Sequence, residues 1–430
     1  MFTSIEICAG AGGQAVGLHQ AGFGHLALVE IDTHAVETLK LNIKDHQLWA
    51  WERENCSIVG TDVKDFDPYK ADADADAMKK RSVELLQQHG LDLLAGGVPC
   101  PPFSHAGKQL GKDDERDLFP RMLELVKILE PRAVMIENVR GLMDPKFEEY
   151  RHEIKRRLIN LGYCEPRWEV LEAADFGVPQ LRPRAILVAF RKEVIGDLDY
   201  ELPKGKDTNP VSVLTSLEQS MHDRFAPYFD GPHSEQAHAA FERWRNKARE
   251  RDVELKGKGG GIAPTIVGGS KKHGGADLGP SRAKTAWKQL GISGMGVAND
   301  IKTCLEKHTE NRDLFGPDGP MLTVRQAAII QGFPVNWDFS GGKTAQYRQV
   351  GNAFPPPVAK AVGESIIKVL NAARKRDQQG TEPIDMAARR LSRKSPDPAQ
   401  PKRRRPSKPV PDNSAQGQIG LWDTEAAAQS

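Results

Sequence analysis

The chain has 430 residues, 39% of them hydrophobic and 27% charged, with 60 Lys/Arg against 58 Asp/Glu. That length and apolar content can bury a full core in two domains plus extras, and the near-neutral balance excludes any argument for nucleic-acid binding from bulk charge. No apolar run approaches bilayer-spanning length, the start MFTSIEICAG has neither a basic segment nor a cleavage site, and the five cysteines hold no CxxC pair, which argues against a membrane protein, a disulfide scaffold and a zinc site and leads us to expect reduced thiols in the cytoplasm.

Thr3 to Ala9 is a short apolar run with β-branched residues, ending in Gly10-Ala11-Gly12-Gly13 before a helical pattern through Val16, Leu18 and Ala21. This is strand, glycine turn, helix. Gly10, Gly12 and Ala15 fit a relaxed dinucleotide fingerprint, although such turns also occur with no ligand. Glu30, ending the strand His25 to Val29, turns the reading toward an adenosine-type ligand, because a carboxylate there can accept bonds from both ribose hydroxyls. A helix over Thr33 to Lys44 leads to Cys56 to Val63, a third strand whose end, Gly60-Thr61-Asp62, carries a second acid. Ala71 to Ala77 reads as a solvated insertion, and a helix around Arg81 to His89 follows.

Leu91 to Ala95 reads as a short buried strand opening into GGVPCPPFS, Gly96 to Ser104. Its prolines remove donors and forbid helix, so Cys100 sits on a stiff loop at a strand's end, where α/β enzymes keep their chemistry. A free cysteine is ordinarily a small buried hydrophobe; this setting argues for a functional thiol. His105 to Arg116 is polar and glycine-punctuated, long enough for a mobile flap. After a helix over Leu118 to Leu129, the strand Ala133 to Ile136 delivers Glu137-Asn138-Val139 to the same edge of the sheet. An acid directly after four apolar residues is costly without a task or a partner, and a helix cap at Asn138 is the other reading.

A helix over Arg151 to Leu161 and a strand beginning at Val170 to Ala174 precede Gln180-Leu181-Arg182-Pro183-Arg184 and the apolar strand Ala185 to Phe190. Arg182 and Arg184 point to one face in extended structure, either to bind an anion or polar edge or to pair with acids such as Glu137. The alternation of strands and helices predicts a doubly wound parallel sheet. Between about Lys192 and Pro320 the periodicity weakens and glycine becomes abundant. Leu255 to Leu290 holds seven Lys/Arg against one Asp, and glycines interleaved with lysines let backbone and ammonium groups approach a phosphate chain closely. Thr323 can cap a helix over Val324 to Gln331 that Gly332-Phe333-Pro334 stops, and QVGNAFPPP leads into a last helix, Val358 to Ala373. Past Asn371 the composition predicts disorder, with a basic run at Lys402 to Arg405.

Taken in order, these motifs resemble the cytosine-C5 DNA methyltransferase family, from Ile5 to about Gly363 with the variable region excepted. ICAGAGG resembles the family's methyl-donor loop, VEID its ribose-binding stretch, GTD its third cofactor element, GGVPCPPFS its catalytic cysteine loop, ENVRGL its glutamate motif and QLRPR its paired-arginine motif. LTVRQAAIIQGFP and QVGNAFPPPVAKAVG resemble the two closing motifs. The resemblance implies a doubly wound, mostly parallel, Rossmann-like sheet with a second, smaller target-recognition domain. It implies a catalytic domain over 1–192 completed by 321–373, a DNA-contacting domain over 193–320 and a basic tail over 374–430.

It further implies S-adenosylmethionine as methyl donor, held by Ala9, Gly10, Gly12, Gly13, Glu30, Ile31, Asp62, Val63, Asn352 and Ala353. The catalytic residues would be Cys100, Glu137, Arg182 and Arg184, and Ser104, Lys271 and Lys272 would contact double-stranded DNA from which the target cytosine is flipped. No metal is implied. A monomer paired in function with a restriction endonuclease is the expected setting. Glu6 and Cys8 depart from the Asp and Phe frequent at their positions, which removes a ring that could stack on adenine, and Pro101 replaces a frequent Gln. An RNA cytosine-C5 methyltransferase, a non-catalytic DNA-binding module and an NAD-dependent dehydrogenase are the competing readings; the last leaves the Cys100 loop, the arginine pair and the Gly/Lys region unexplained.

Overall fold

The computed structural model describes residues 1–45, 47–70, 77–99, 117–205, 211–254, 261–268 and 276–379. Cys100, Ser104, the His105 to Arg116 segment, Lys271, Lys272, most of the Asp-Ala insertion and everything past residue 379 lie outside the described residues.

Among the described residues there are seven strands: β1 (Phe2–Ile7), β2 (Phe23–Glu30), β3 (Ser57–Gly60), β4 (Leu93–Gly96), β5 (Ala133–Val139), β6 (Arg167–Glu172) and β7 (Pro183–Phe190). They form one sheet in the order β3-β2-β1-β4-β5-β7-β6. β4 is buried along its whole length and β2 along all but its last residue, because both faces of the sheet are covered, and this is why their sequences are apolar without alternation. Every neighbouring pair is parallel except β5 with β7 and β6 with β7, so β7 alone is reversed. The sheet is therefore mostly parallel, with a switch point between β1 and β4 that opens a crevice at their carboxyl ends.

Helices α1 (Gly13–Ala21), α2 (Thr33–Asp45), α3 (Ala50–Asn55), α4 (Ala77–His89), α5 (Phe119–Leu129) and α6 (Glu148–Asn160) connect the first strands. α7 (Lys192–Ile195), α8 (Val213–Phe225), α9 (Ser234–Glu254), α10 (Ser281–Gln289), α11 (Ile301–Lys307) and α12 (Glu310–Asp313) follow β7, and α13 (Val324–Ile330), α14 (Lys343–Asn352) and α15 (Pro356–Gln379) close the fold. One face of the sheet is covered by α4, α5 and α6 through Leu86, Met122, Val126 and Leu158. On the other face α1 and α15 lie almost in backbone contact, since a Cβ on Gly17 would run into the Pro356 carbonyl and one on Gly363 would sit 2.8 Å from the Ala21 Cβ. Glycine is required there for close approach.

The region between β7 and α13 is more regular than its sequence suggests. α8 and α9 pack against each other over Phe225, Phe241 and Trp244, and their core continues without a break through Trp287 and Phe315 to Trp337 and Leu39. The apolar positions of α9, namely Ala237, Ala240, Phe241, Trp244 and Ala248, do fall at helical spacing, but four are small or isolated among charged residues, so the pattern is diluted. The sequence pattern does not mark α14 either, and α15 runs to Gln379, past Ala373, with Arg376 bonding back to the carbonyls of Glu193 and Val194 at 2.8 and 3.2 Å. Thr323 caps α13 as its sequence predicts, in a reciprocal box with Gln326.

Candidate active site

The crevice at the switch point holds a cavity of about 390 Å³. Loops after β1, β2, β3 and β4 form one wall and the end of α14 the other. Of the residues expected to hold a methyl donor, Ala9, Gly10, Gly13, Glu30, Ile31, Asp62, Val63, Asn352 and Ala353 all line it. Gly12 does not. It stands at φ +87 beneath Trp337, whose ring would lie 2.8 Å from a Cβ at that position, and the Trp337 Nε1–H donates to the Ala11 carbonyl at 3.0 Å. Gly12 is needed so that an aromatic from the far end of the chain can cover the loop, and the loop's shape is thereby fixed from outside.

Glu30 locks two loops together. Its Oε2 accepts from the Gly10 N–H at 2.7 Å, and its Oε1 accepts from the Ile31 and Asp32 N–H groups at 2.9 and 2.8 Å. A carboxylate has about four acceptor positions, so one on Oε2 remains for a ligand hydroxyl in this geometry, fewer than the two ribose bonds the sequence suggests. Asp62 accepts from the Lys64 N–H at 2.9 Å while facing the cavity. Cys8, where an aromatic is frequent in the family the motifs resemble, adopts φ +53 and its thiol is pushed up to about 12, first by burial and then by Glu30, Asp62 and Glu6. It faces the cavity as a neutral thiol.

Three groups in the cavity wall are not among the expected donor-binding residues. Among the described residues, Glu6 Oε2, both amide atoms of Gln14 and the Nε of Arg348 are buried without a hydrogen-bond partner. Glu6 is 1% exposed, and burial, with Glu30 nearby, holds its carboxyl well above the usual carboxylate range. Buried polar groups are normally satisfied, so a wall with an acid, an amide and a guanidinium all wanting partners is shaped for a polar, zwitterionic ligand end. Glu6 shows in the sequence only as a departure from a frequent Asp, and no local motif marks Gln14 or Arg348; only the closing of the chain on itself puts these two in one cavity wall.

At the other end of the cavity stand Gly97, Pro99 and Glu137. Glu137 lies within β5 and not after it, its Oε1 2.8 Å from the Arg184 Nε. Burial raises its carboxyl above the ordinary value, opposed by Arg184 and Arg182. Gly97 leaves room beside it, since a Cβ there would come within 3.2 Å of Glu137 Oε2. Asn138 caps no helix: its Nδ2 donates to the Val98 carbonyl at 2.8 Å, tying the end of β5 to the root of the Cys100 loop.

The two arginines diverge. Arg184 pairs with Glu137, as one of the two alternatives read from the sequence has it, whereas Arg182 is 1% exposed and donates to the carbonyls of Ile266, Gly351 and Ala353 at 2.6, 2.6 and 2.9 Å. Proline between them does not keep them on one task; Arg182 is spent inside the protein.

A family model described as C-5 cytosine-specific DNA methylase matches residues 2–368. The chain is 43% identical over 368 residues to the Type II methyltransferase M.NaeI of Lentzea aerocolonigenes, covering 85% of this chain and 75% of that protein. It is 42% identical over 372 residues to the Type II methyltransferase M.NgoMIV of Neisseria gonorrhoeae, covering 86% and 98%. Among solved structures, an Escherichia coli prophage protein described as a DNA modification methyltransferase superposes with a TM-score of 0.51 at 21% identity, covering 86% of this chain and all of that one, a likeness of fold.

Proposed function

Because the chain belongs to the C-5 cytosine-specific DNA methylases, we propose that Cys100, Glu137 and Arg184 carry out its methyl transfer and that residues 193–320 choose the site on duplex DNA. The observation that carries this reading is the Glu137–Arg184 pair, in which Glu137 lines the cavity with Gly97 and Pro99 while its neighbour Asn138 is tied to the root of the Cys100 loop at Val98.

S-adenosylmethionine supplies the methyl group as a sulfonium. The wall fits it: Glu6 and Gln14 offer acceptors for an ammonium, Arg348 a cation for a carboxylate, Glu30 an acceptor for a ribose hydroxyl and Asp62 an acceptor for the adenine amine. Ala9, Gly10, Gly13, Ile31, Val63, Asn352 and Ala353 shape the remainder.

Carbon 5 of cytosine is too poor a nucleophile by itself. Cys100 thiolate adds to carbon 6, forming an S–C bond and leaving electron density on carbon 5 as an enamine. Glu137, with its carboxyl held high by burial, hydrogen-bonds the ring N3 and exocyclic amine and offsets charge as the adduct forms; Arg184, anchored by Glu137, holds the O2 edge. Once carbon 5 holds the methyl, with the donor left as the neutral thioether S-adenosylhomocysteine, its proton passes to solvent water or hydroxide, and the electron pair of the broken C–H bond re-forms the ring double bond and expels Cys100 as thiolate. A stacked base cannot reach such a site, so the cytosine is flipped out of the duplex, and Ser104, Lys271 and Lys272 hold the backbone around it. A monomer working in the cytoplasm completes the proposal, and the likeness to two Type II methyltransferases supports a companion restriction endonuclease from which the chain protects DNA.

The test uses duplex DNA with 5-fluorocytosine at the target, where no proton can leave carbon 5 and the adduct is trapped. A denaturation-resistant complex that mass spectrometry maps to Cys100, and that Cys100→Ser abolishes without loss of S-adenosylhomocysteine binding, is the expected result. DNA on another residue, or an active enzyme with no adduct, overturns the mechanism.

A further inference from the structure

Building on the reading of residues 193–320 as the DNA-contacting part, we propose that Arg182 is a positioning residue that ties this insertion to the rim of the methyl-donor cavity, so that duplex and donor bind cooperatively through it. Its Nη1 donates to the Ile266 carbonyl, and its Nη2 to those of Gly351 and Ala353. Ile266 belongs to the strap Ala263 to Gly268, which leads directly into the residues that include Lys271 and Lys272. Asn352 and Ala353 line the cavity. One buried cation thus joins the rim of the cavity to the strap that precedes the proposed DNA-contacting lysines.

The surroundings make the tie stiff. Leu181 N donates to the Ala263 carbonyl and Ala263 N to that of Pro179, at 2.8 and 3.0 Å, and Ile266 N donates to Gln180 Oε1 at 2.8 Å. Gln180 Nε2 reaches Gln331 Oε1 at 2.6 Å, and Gln331 Nε2 reaches the same Ala353 carbonyl that Arg182 uses, at 2.5 Å. Strap and rim also touch directly: a Cβ on Gly351 would lie 2.6 Å from the Gly268 Cα, and one on Gly268 would run into the Asn352 side chain.

A guanidinium only 1% exposed has no water to fall back on. If the strap or the rim withdraws, the cation loses carbonyls in a dry site, which is costly, so the two segments hold or release together. Each ligand, by fixing its own segment, lowers the cost of ordering the other, and linkage makes the effect reciprocal. A lysine cannot replace this, because one ammonium has no planar fork to serve three acceptors on two segments.

The experiment titrates S-adenosylhomocysteine into the full-length protein with and without a saturating duplex carrying the target site mapped by bisulfite sequencing. The wild type should bind on the order of 5- to 50-fold tighter with duplex present. Arg182→Lys and Gly351→Ala should bring that ratio near one and raise KM for both substrates more than they lower kcat. Thr265→Val, which removes only the strap's bond to the Leu181 carbonyl, should keep the ratio. A wild-type ratio of one, or an unchanged ratio in folded Gly351→Ala, overturns the inference; Gly351→Ala decides even where Arg182→Lys does not fold, since it leaves the charge alone. If Lys271→Ala with Lys272→Ala leaves duplex affinity and its salt dependence unchanged, the DNA-contact reading falls instead, and the two failures are told apart.

Discussion

Glu137 and Arg184 are diagonal neighbours across an antiparallel pair: Glu137 stands opposite Ile186, two residues from Arg184, and the two charges meet at 2.8 Å. The contact depends on the reversal of β7. Running against β5, β7 begins at the edge where β5 ends, so a residue at its start reaches one near the end of β5. In a fully parallel sheet Arg184 would lie at the opposite edge, away from the cavity. The reversed strand is what lets the acid and the guanidinium share one site.

Removing Arg184 leaves the burial of Glu137 opposed by Arg182 alone, so its carboxyl should stay protonated to higher pH than in the wild type. Arg184→Ala is expected to lower turnover on the order of 100-fold or more and to move the limb of the pH–rate profile that reports Glu137 toward alkaline pH. Glu137→Gln should lower turnover comparably and remove the limb. A limb that persists in Glu137→Gln would mean another group titrates there.

Gly12 offers a sharp contrast with its neighbours, since its task is packing. Gly12→Ala should weaken S-adenosylhomocysteine binding more than tenfold, because the new methyl meets both a left-handed backbone and the Trp337 ring. Trp337→Phe keeps the cover and loses the bond to the Ala11 carbonyl, worth about 1 kcal/mol or roughly fivefold in affinity. Calorimetric titration of both variants checks this, and equal effects would refute the division of roles.

Glu6 makes stability depend on pH with a definite sign. Its carboxyl is raised in the folded state, so its contribution is fully present below the ordinary carboxylate pKa and is lost as pH rises toward the folded value. Glu6→Gln cannot ionise. The melting temperature of Glu6→Gln minus that of the wild type, without ligand, should therefore grow more positive from pH 5 to pH 8; a flat or falling difference contradicts the buried, strained acid.

The fold should end functionally at α15. A chain stopped at Gln379 is expected to fold and to match full-length turnover at saturating DNA, with KM for DNA raised by loss of the basic tail. Stopping at Lys375 also removes Arg376 from the carbonyls at the end of α7 and should lower the melting temperature by a few degrees. Equal melting temperatures for the two would deny Arg376 its part.

Much of this site is written in short runs of sequence. The glycine turn after β1 and the acid ending β2 each carry local chemistry that survives without neighbours, and all but Gly12 of the expected donor-binding residues line one cavity, while Cys100 lies outside the described residues. What escapes is set by distant chain. Trp337 reaches Ala11 across 326 residues, and nothing near Gly12 announces an aromatic above it. Arg182 and Arg184 look alike in sequence, yet one is spent on carbonyls contributed by residues 266, 351 and 353. The direction of β7 is likewise invisible locally, since an apolar strand reads the same either way. In α9 the helical stripe is present but is built largely of alanines, which carry too little apolar weight to stand out among charged neighbours.

The seal between α1 and α15 has a consequence for how the protein is made. Leu18 and its helix lie under Val362 and Ile366, and the far wall of the cavity is Ala345 to Phe354, so the proposed donor cavity is assembled from the first and last parts of the folded chain. A nascent chain that already displays every N-terminal motif still lacks that wall, and its uncovered helix face remains a surface for chaperones through most of translation. Only molecules whose α15 has cleared the ribosome can begin to mark DNA. Truncated products of interrupted synthesis should therefore be inert, neither methylating DNA nor withholding the donor from finished copies.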